Sequence, residues 1–294
     1  MRITQSMLQN NMLQNIFKSQ AQMNKYLNQI NTGKKIEYPS DDPVIAMKGI
    51  GYRTEVTEVG QYRRNSTEVW KWMDHTDDVL DKATKVIQRL DYLAVQAASD
   101  TYSENERQSI AEEVEQLKLQ MVELGNTQVS GSYIFNGTNS DQPPLSVNEN
   151  TGEVTFNFND DLKNVEIEVA KGVKMQVNIH PDKIFNEDIF NSIQNFQENL
   201  ESGGDFNVNI GELKESLDAI VDTRASLGAR MNRMELIDDR LEQQEIIATD
   251  IMMKNEGVDF EEAVTKLLTE EVLHRAALSA TAKIIQPSLI DFLR

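Results

Sequence analysis

From Val44 to Ser99 the chain runs fifty-six residues without a proline. Val69, Met73, Thr76, Leu80, Ala83, Ile87, Leu90 and Ala94 fall in it at the three- and four-residue steps of one helix face. At about 1.5 Å per residue such a helix spans about 80 Å, a length that a compact core has no use for. Gly60 is the one place where a break is expected. Composition agrees with a chain of long helices. Apolar residues make up 39%, aromatics 6%, and the mean hydropathy is −0.50. That is lean for a spherical core but enough for narrow seams between helices.

The two chain ends repeat the pattern with opposite charge. Met1 to Ile36 holds no acidic residue, and Arg2, Lys18, Lys25, Lys34 and Lys35 give it +5, leaving −24 on the other 258 residues. Leu8, Met12, Ile16, Met23, Leu27 and Ile30 line one face of a helix that Gly33 should end. Its polar filler is poorly helix-forming, so it needs a partner face. Phe260, Val264, Leu267, Leu268 and Val272, continued by Ile284, Ile285, Leu289, Phe292 and Leu293, supply one. Glu256, Asp259, Glu261, Glu262, Glu270 and Glu271 make its first half acidic, so the two ends are expected to pair as a coiled coil. Pro287 should kink or interrupt the last helix.

Between the ends, Asp42 is placed to cap a helix with Pro43 at its first position, and Ser103 to Glu106 reads as a capping box. A helix through Ile110, Val114, Leu117, Met121 and Leu124 follows. From Ser130 to about His180 the chain turns rich in Gly, Asn, Asp and Pro, with alternating stretches at Val154–Phe158 and Val165–Val169 that predict short strands. A short helix from about Glu187 to Leu200 and a long one from Glu212 to about Asn255 complete the order. The expected fold is therefore mainly α. Both chain ends build an elongated antiparallel bundle of long helices, and a small β-rich domain is inserted in it. The expected divisions are 1–38 with 257–294 as terminal coiled-coil assembly segments, 39–138 with 210–256 as a helical rod, and 139–209 as a self-contained β-rich surface insert.

Chemistry has little to stand on. No cysteine is present, which removes disulfides, thiolate nucleophiles and cysteine metal sites. His75, His180 and His274 are far apart and lack metal-type spacing, and no phosphate loop or nucleophile elbow occurs. Asn159-Asp160-Asp161 lacks the remaining ligands of a calcium loop and reads as a turn. No catalytic, cofactor or metal site is assigned. A formal charge of −19 disfavours nucleic acid as a partner. No run of 18 apolar residues suggests a membrane span, and the first thirty residues do not read as a cleavable signal.

Several motifs carry a family likeness. Met1-Arg2-Ile3-Thr4, the segment Ile30 to Ile36, and Pro39-Ser40-Asp41-Asp42-Pro43 with Ala46 resemble the N-terminal region of the flagellin superfamily. Ala276 to Leu278 and Thr281 to Leu289 resemble its C-terminal region. Gly131 to Thr138 with Pro143-Pro144, and the ending Ile285 to Leu293, are most similar to the hook-associated FlgL-type junction proteins. The resemblance covers the ends and the rod, but not 139–209. It implies a structural adaptor of the bacterial flagellum, a ring at the hook–filament junction that packs through its terminal helices and has no enzymatic role. It also implies export without a cleaved signal peptide to an extracellular site. The implied partners are the preceding hook-associated layer, flagellin, further copies of the chain and an export chaperone. A short filament-forming flagellin is the alternative, and an enzyme on a coiled-coil scaffold a remote one. The residues assigned to the assembly interface are the terminal apolar side chains named above.

Overall fold

A computed structural model describes residues 5–99, 104–148, 152–158, 163–204 and 206–292. Helices α1 (Gln5–Thr32), α2 (Pro43–Ala97) and α3 (Glu104–Gly125) come first. Three antiparallel hairpins follow: β1 (Gln128–Val129) with β2 (Ser132–Tyr133), β3 (Leu145–Val147) with β4 (Val154–Phe156), and β5 (Glu166–Ala170) with β6 (Val173–Gln176). In register, Leu145 faces Phe156 and Glu166 faces Gln176, with an irregularity between Glu168 and Ala170. A 3-10 turn (Pro181–Lys183) leads into α4 (Glu187–Ser202), α5 (Phe206–Glu256) and α6 (Phe260–Phe292). The chain is mainly α with a small β insertion, as its periodicity predicts.

Local signals account for most boundaries. Asp42 Oδ1 accepts from the Val44 and Ile45 amides at 2.9 and 3.1 Å, capping α2 over Pro43. Asn186 caps α4 through the Ile189 amide, and Gly203, at φ 76°, ends it. The expected cap residue Ser103 lies outside the described residues. Three expectations change. The α2 helix passes Gly60 unbroken, because Val59 and Tyr62 beside it pack into the core. Helix α5 starts at Phe206 rather than Glu212, since the buried Phe206 ring stacks edge-on against Phe196 and lies under the Arg107 guanidinium. Pro287 does not interrupt α6, which continues past it to Phe292.

The fold divides into two compact units, Met1–Glu58 with Gln244–Arg294, and Val59–Gln243. The expected division placed boundaries near 38, 138, 209 and 256, so 139–209 falls inside the second unit. That unit has one continuous core. Val69, Met73, Leu80, Ile87 and Leu90 of α2 join Val114 and Met121 of α3, Leu213, Ile220, Leu227 and Met234 of α5, and Phe135, Leu145, Phe185, Ile193 and Phe196 from the chain between. Phe135 and Phe185 meet edge to face at 5.1 Å. Gly125 lets Leu145 and Phe185 close onto the end of α3. The insert is therefore not a knob with a core of its own. Its alternating strands direct one face inward, against helices that lack other cover.

Polar contacts in this unit tie the same elements together. Arg224 of α5 holds Asp77 through two bonds, at 2.8 and 3.1 Å, and Asp81 at 2.7 Å, which raises its own affinity for the proton. Lys118 of α3 is buried and donates to Gln194 of α4 at 3.0 Å, and burial pushes its pKa down. Asn136, whose triplet Asn136-Gly137-Thr138 has the form of a glycosylation acceptor, is fully buried and donates to the Gln142 carbonyl. It is not available to a modifying enzyme.

Replacing 140–205 by a short Gly/Ser linker should abolish the cooperative melt of the second unit, because it uncovers Val114 and Met121 and removes the buried Phe185, Phe190 and Phe196, each worth about 3–5 kcal/mol by truncation. Circular dichroism through a thermal ramp checks this; an unchanged melt would mean that the helices are self-sufficient.

Candidate assembly site in the terminal helices

The first unit is built around a backbone clasp. Thr32 and Gly33 close α1, with Gly33 at φ 67° and its amide bonded to the Gln29 carbonyl at 2.9 Å. The chain then pairs with the α5–α6 connection. Lys34 bridges Gly257 in antiparallel fashion, the Lys35 amide donates to Glu256 O at 2.6 Å, and the Val258 amide donates to Gly33 O at 3.0 Å. Gly257 is required there, since a Cβ would fall 2.5 Å from the Met253 carbonyl oxygen. Asp259 then caps α6 through the Glu261 and Glu262 amides.

Side chains lock the clasp to α2. The Glu256 carboxylate is 8% exposed and accepts from Arg53 Nη2 at 2.5 Å, which raises the arginine's pKa. It lies over Gly49, where any Cβ would collide with it. Asn255 Nδ2 donates to the Ile45 carbonyl at 3.0 Å. Asp41 accepts from the Tyr38 and Glu37 amides at 3.0 and 3.1 Å, and these two bonds hold its carboxyl below the usual range. The two motifs that resemble the superfamily, Ile30–Ile36 and Pro39–Pro43, are thus the residues that turn the chain out of α1, against the clasp, and into α2.

Beyond the clasp, α1 and α6 pack along each other. The bridge at Lys34–Gly257 and the contact of Ser19 with Glu270 fix an antiparallel register. The less exposed residues define the seam: Met12, Ile16, Ser19, Met23, Tyr26 and Ile30 from α1, and Ala263, Leu267, Glu270, His274, Ala277 and Thr281 from α6. Four expected interface residues of α1 (Met12, Ile16, Met23 and Ile30) and Leu267 of α6 lie in it. Leu27 (40% exposed), Phe260, Val264, Leu268 and Val272 do not; they stand exposed beside it. The side chains of Leu8, Ile284, Ile285, Leu289 and Phe292, and all of Leu293, lie outside what is described. Apolar periodicity could not have found the small and polar members of the seam, because Ala, Ser, Glu, His and Thr carry no hydrophobic signal.

The pair has two unlike sides. A groove on one is lined by Lys25, Tyr26, Gln29, Lys35, Glu262 and Lys266. Taking about 100° per residue outward from the seam, Leu13, Phe17 and Leu27 of α1 and Phe260, Val264, Leu268 and Leu278 of α6 share the other side, all exposed. Of the 23 large apolar side chains left exposed among the described residues, 18 belong to the first unit. Among the described residues no three His, Asp or Glu side chains converge on a metal position, and no helix is long and apolar enough to cross a membrane.

Residues 3–140 match the bacterial flagellin N-terminal helical region, and residues 210–293 match the bacterial flagellin C-terminal helical region. The chain belongs to the flagellin superfamily. The two regions cover roughly three quarters of it and meet at the clasp, leaving the insert unmatched. Within the superfamily it falls with the hook-associated proteins of the FlgL type. It is similar to flagellar hook-associated protein 3 of Escherichia coli, 26% identical over 94% of both chains. Flagellin FlaB1 of Treponema pallidum is 25% identical but aligns over only 73% of this chain and 72% of its own. The fold is shared with a hook-associated protein structure from Vibrio parahaemolyticus, at TM-score 0.67 and 19% identity over 74% of this chain and all of that one. It is also shared with Bacillus cereus FlgL, at TM-score 0.59 and 23% identity over 69% and 99%.

Two outcomes test the clasp. Removing the Glu256 carboxylate by Glu256→Ala leaves Arg53 without its partner and Gly49 uncovered. Because Arg53 is half exposed, the loss should be about 1–2 kcal/mol rather than the full value of a buried pair, read as a lower melting temperature with faster amide exchange at Lys35 and Val258. The second concerns acid. The folded pKa of Asp41 is lowered, so its contribution is complete above the ordinary carboxylate value, about 3.9, and is lost as pH falls toward the lower folded value. The protection of the Tyr38 amide, taken relative to intrinsic exchange at each pH, should therefore fall on acidification below about pH 4, and the step should vanish in Asp41→Asn.

Proposed function

We propose that this chain is a structural adaptor of the bacterial flagellum, forming the junction ring between the preceding hook-associated layer and the flagellin filament. The observation that carries the reading is the concentration of exposed apolar side chains in the first unit. Its seam already occupies one face of α1 and α6, yet an apolar side of the same helices is left in water. A chain whose work is done alone gains nothing from that surface, whereas a repeating assembly buries it at every subunit. The alignment with a hook-associated protein over nearly its whole length, against partial alignment with a flagellin, favours the junction over the filament.

In this mechanism the chain acts mechanically. Each copy contributes its apolar side to neighbouring copies, to the hook-associated layer below and to flagellin above. Leu27, Phe260, Val264, Leu268 and Val272 then serve between subunits, while Met12, Ile16, Met23, Ile30 and Leu267 hold each pair of helices together. The chain reaches this extracellular site through the flagellar export route without losing a signal peptide, with a chaperone covering the apolar terminal helices before assembly. The named relatives are structural flagellar proteins, in keeping with a role that involves no catalysis.

Immuno-electron microscopy of sheared appendages tests the placement. Label at the hook-proximal end is expected, whereas label along the whole length would assign the chain to the filament instead. Two adjacent residues separate the roles within the helix. Leu268, 56% exposed, should tolerate Asp in the isolated chain within about 0.5 kcal/mol. Leu268→Asp should nevertheless leave flagellin unpolymerised in the medium, because the charge is desolvated in the ring. Leu267→Asp places its charge in the seam and should lower the melting of the isolated chain as well. Normal filaments with Leu268→Asp would move the contact elsewhere.

A further inference from the structure

The seam between α1 and α6 is apolar or small at most positions, but its middle is not. Ser19 Oγ donates to Glu270 Oε2 at 3.3 Å, and one turn on along α6 stands His274, whose Nδ1 is buried without a hydrogen-bond partner among the described residues. A layer that brings a carboxylate into a helix seam and leaves a ring nitrogen unpaired beside it does not serve stability, since apolar residues there would pack better. Its value is discrimination between alternative pairings. We propose that Ser19 and Glu270, with His274 beside them, are the register-determining residues of the terminal helix pair.

The argument rests on what sliding would do. Methionine, isoleucine, leucine and alanine side chains tolerate many neighbours, so shifting α1 along α6 by one heptad keeps most apolar contact. On the line through the Lys34–Gly257 and Ser19–Glu270 pairs, Met23 falls opposite Leu267 and Ile16 opposite His274. A one-heptad slip would place Glu270 against Met12 or Tyr26, and Ser19 against Ala263 or Ala277. The Ser19 hydroxyl would then lose its carboxylate, and in the slip toward Met12 that carboxylate would face a thioether with no proton to donate. One polar layer thus separates the native register from its neighbours, as a single buried polar residue does in a coiled coil. A slip of one heptad, about 10 Å of translation, requires the clasp bonds to open, and it is among those open pairings that the polar layer selects the register.

The same layer distinguishes the seam from the exposed side of Leu13, Phe17, Leu27, Phe260, Val264 and Leu268, where the ion pair of Glu271 with Arg275 lies within α6 and does not join the two helices. Resting on the junction reading, this keeps α1 on its own α6 and leaves the other side to neighbouring subunits. The register itself does not depend on that reading.

Because the chain has no cysteine, introduced pairs report register without background. In the full chain, Met23→Cys with Leu267→Cys reports the native register, and Ile16→Cys with Leu267→Cys reports the one-heptad slip that carries Glu270 to Met12. Under mild oxidation the native pair should exceed the slipped pair by about tenfold, the factor expected when a slip removes the hydrogen bond of the half-buried Ser19 hydroxyl to a charged carboxylate. Adding Ser19→Leu and Glu270→Leu should bring the two yields to within about threefold while helical content is kept. Glu270→Gln, which still accepts from Ser19, should preserve the preference and guards against a variant that fails to fold. Native-only cross-linking in the double leucine variant would overturn the proposal, as would loss of register in Glu270→Gln. Cross-linked dimers in the leucine variant, scored separately, bear on the junction reading and leave the register result standing.

Discussion

The pairing of Gly33–Lys35 with Glu256–Val258 is the constraint from which the rest of the first unit follows. It joins segments more than two hundred residues apart through backbone bonds of 2.6 and 3.0 Å, so it depends little on side-chain identity except at two glycines. Gly33 permits the left-handed turn, and Gly257 permits the close approach to Met253. Once it is made, α1 and α6 must leave the same point, one arriving and the other departing, and an antiparallel pair is the consequence. The buried Glu256 carboxylate carries the constraint to α2 through Arg53 and Gly49. A polar group enclosed this tightly is costly unless partnered, so clasp and ion pair form together or not at all.

Charge and apolar surface are distributed for different tasks. The +5 carried by the first thirty-six residues is not neutralised across the seam: among the described residues the ion pairs of α6 are internal, Lys266 with Glu262 and Arg275 with Glu271. Opposite charges on the two ends bias encounter, while apolar contact and the Ser19–Glu270 layer fix geometry. In the second unit the order is reversed. Aromatic side chains from the insert fill the core, and Arg224, Asp77 and Asp81 bind its long helices at a partly exposed position. There the apolar surface is spent inward, and few large apolar residues are left in water.

Much of this was legible in the residue pattern. Helix periodicity and capping residues located all of the long helices, and Asp42-Pro43 and Thr32-Gly33 marked their ends to the residue. The shortfalls share one cause. Gly60 and the first turn of α5 are places where local preference opposes the helix and the packing of Val59, Tyr62 and Phe206 outweighs it. The insert was misjudged because alternation says that a strand buries one face, not what it buries it against. In the site, Leu27, Phe260, Val264, Leu268 and Val272 were found as apolar, but their separation from the seam was not visible. A helix with apolar residues on more than one face gives the same three- and four-residue steps whichever face its own chain covers.

The sequence by itself determined a mainly α chain with helical ends of opposite charge, a turn-rich interruption, no thiol chemistry and the motifs of its superfamily. These are local or compositional properties, set by spacing, propensity and residue type within a few turns. Tertiary structure alone decided that the insert shares the core of the long helices, that Ser19, Glu270 and His274 belong to the seam, and which apolar side of the terminal pair stays exposed. Those outcomes depend on contacts between residues up to about 250 positions apart in the chain, and only the packed arrangement of helices gives each side chain its neighbours.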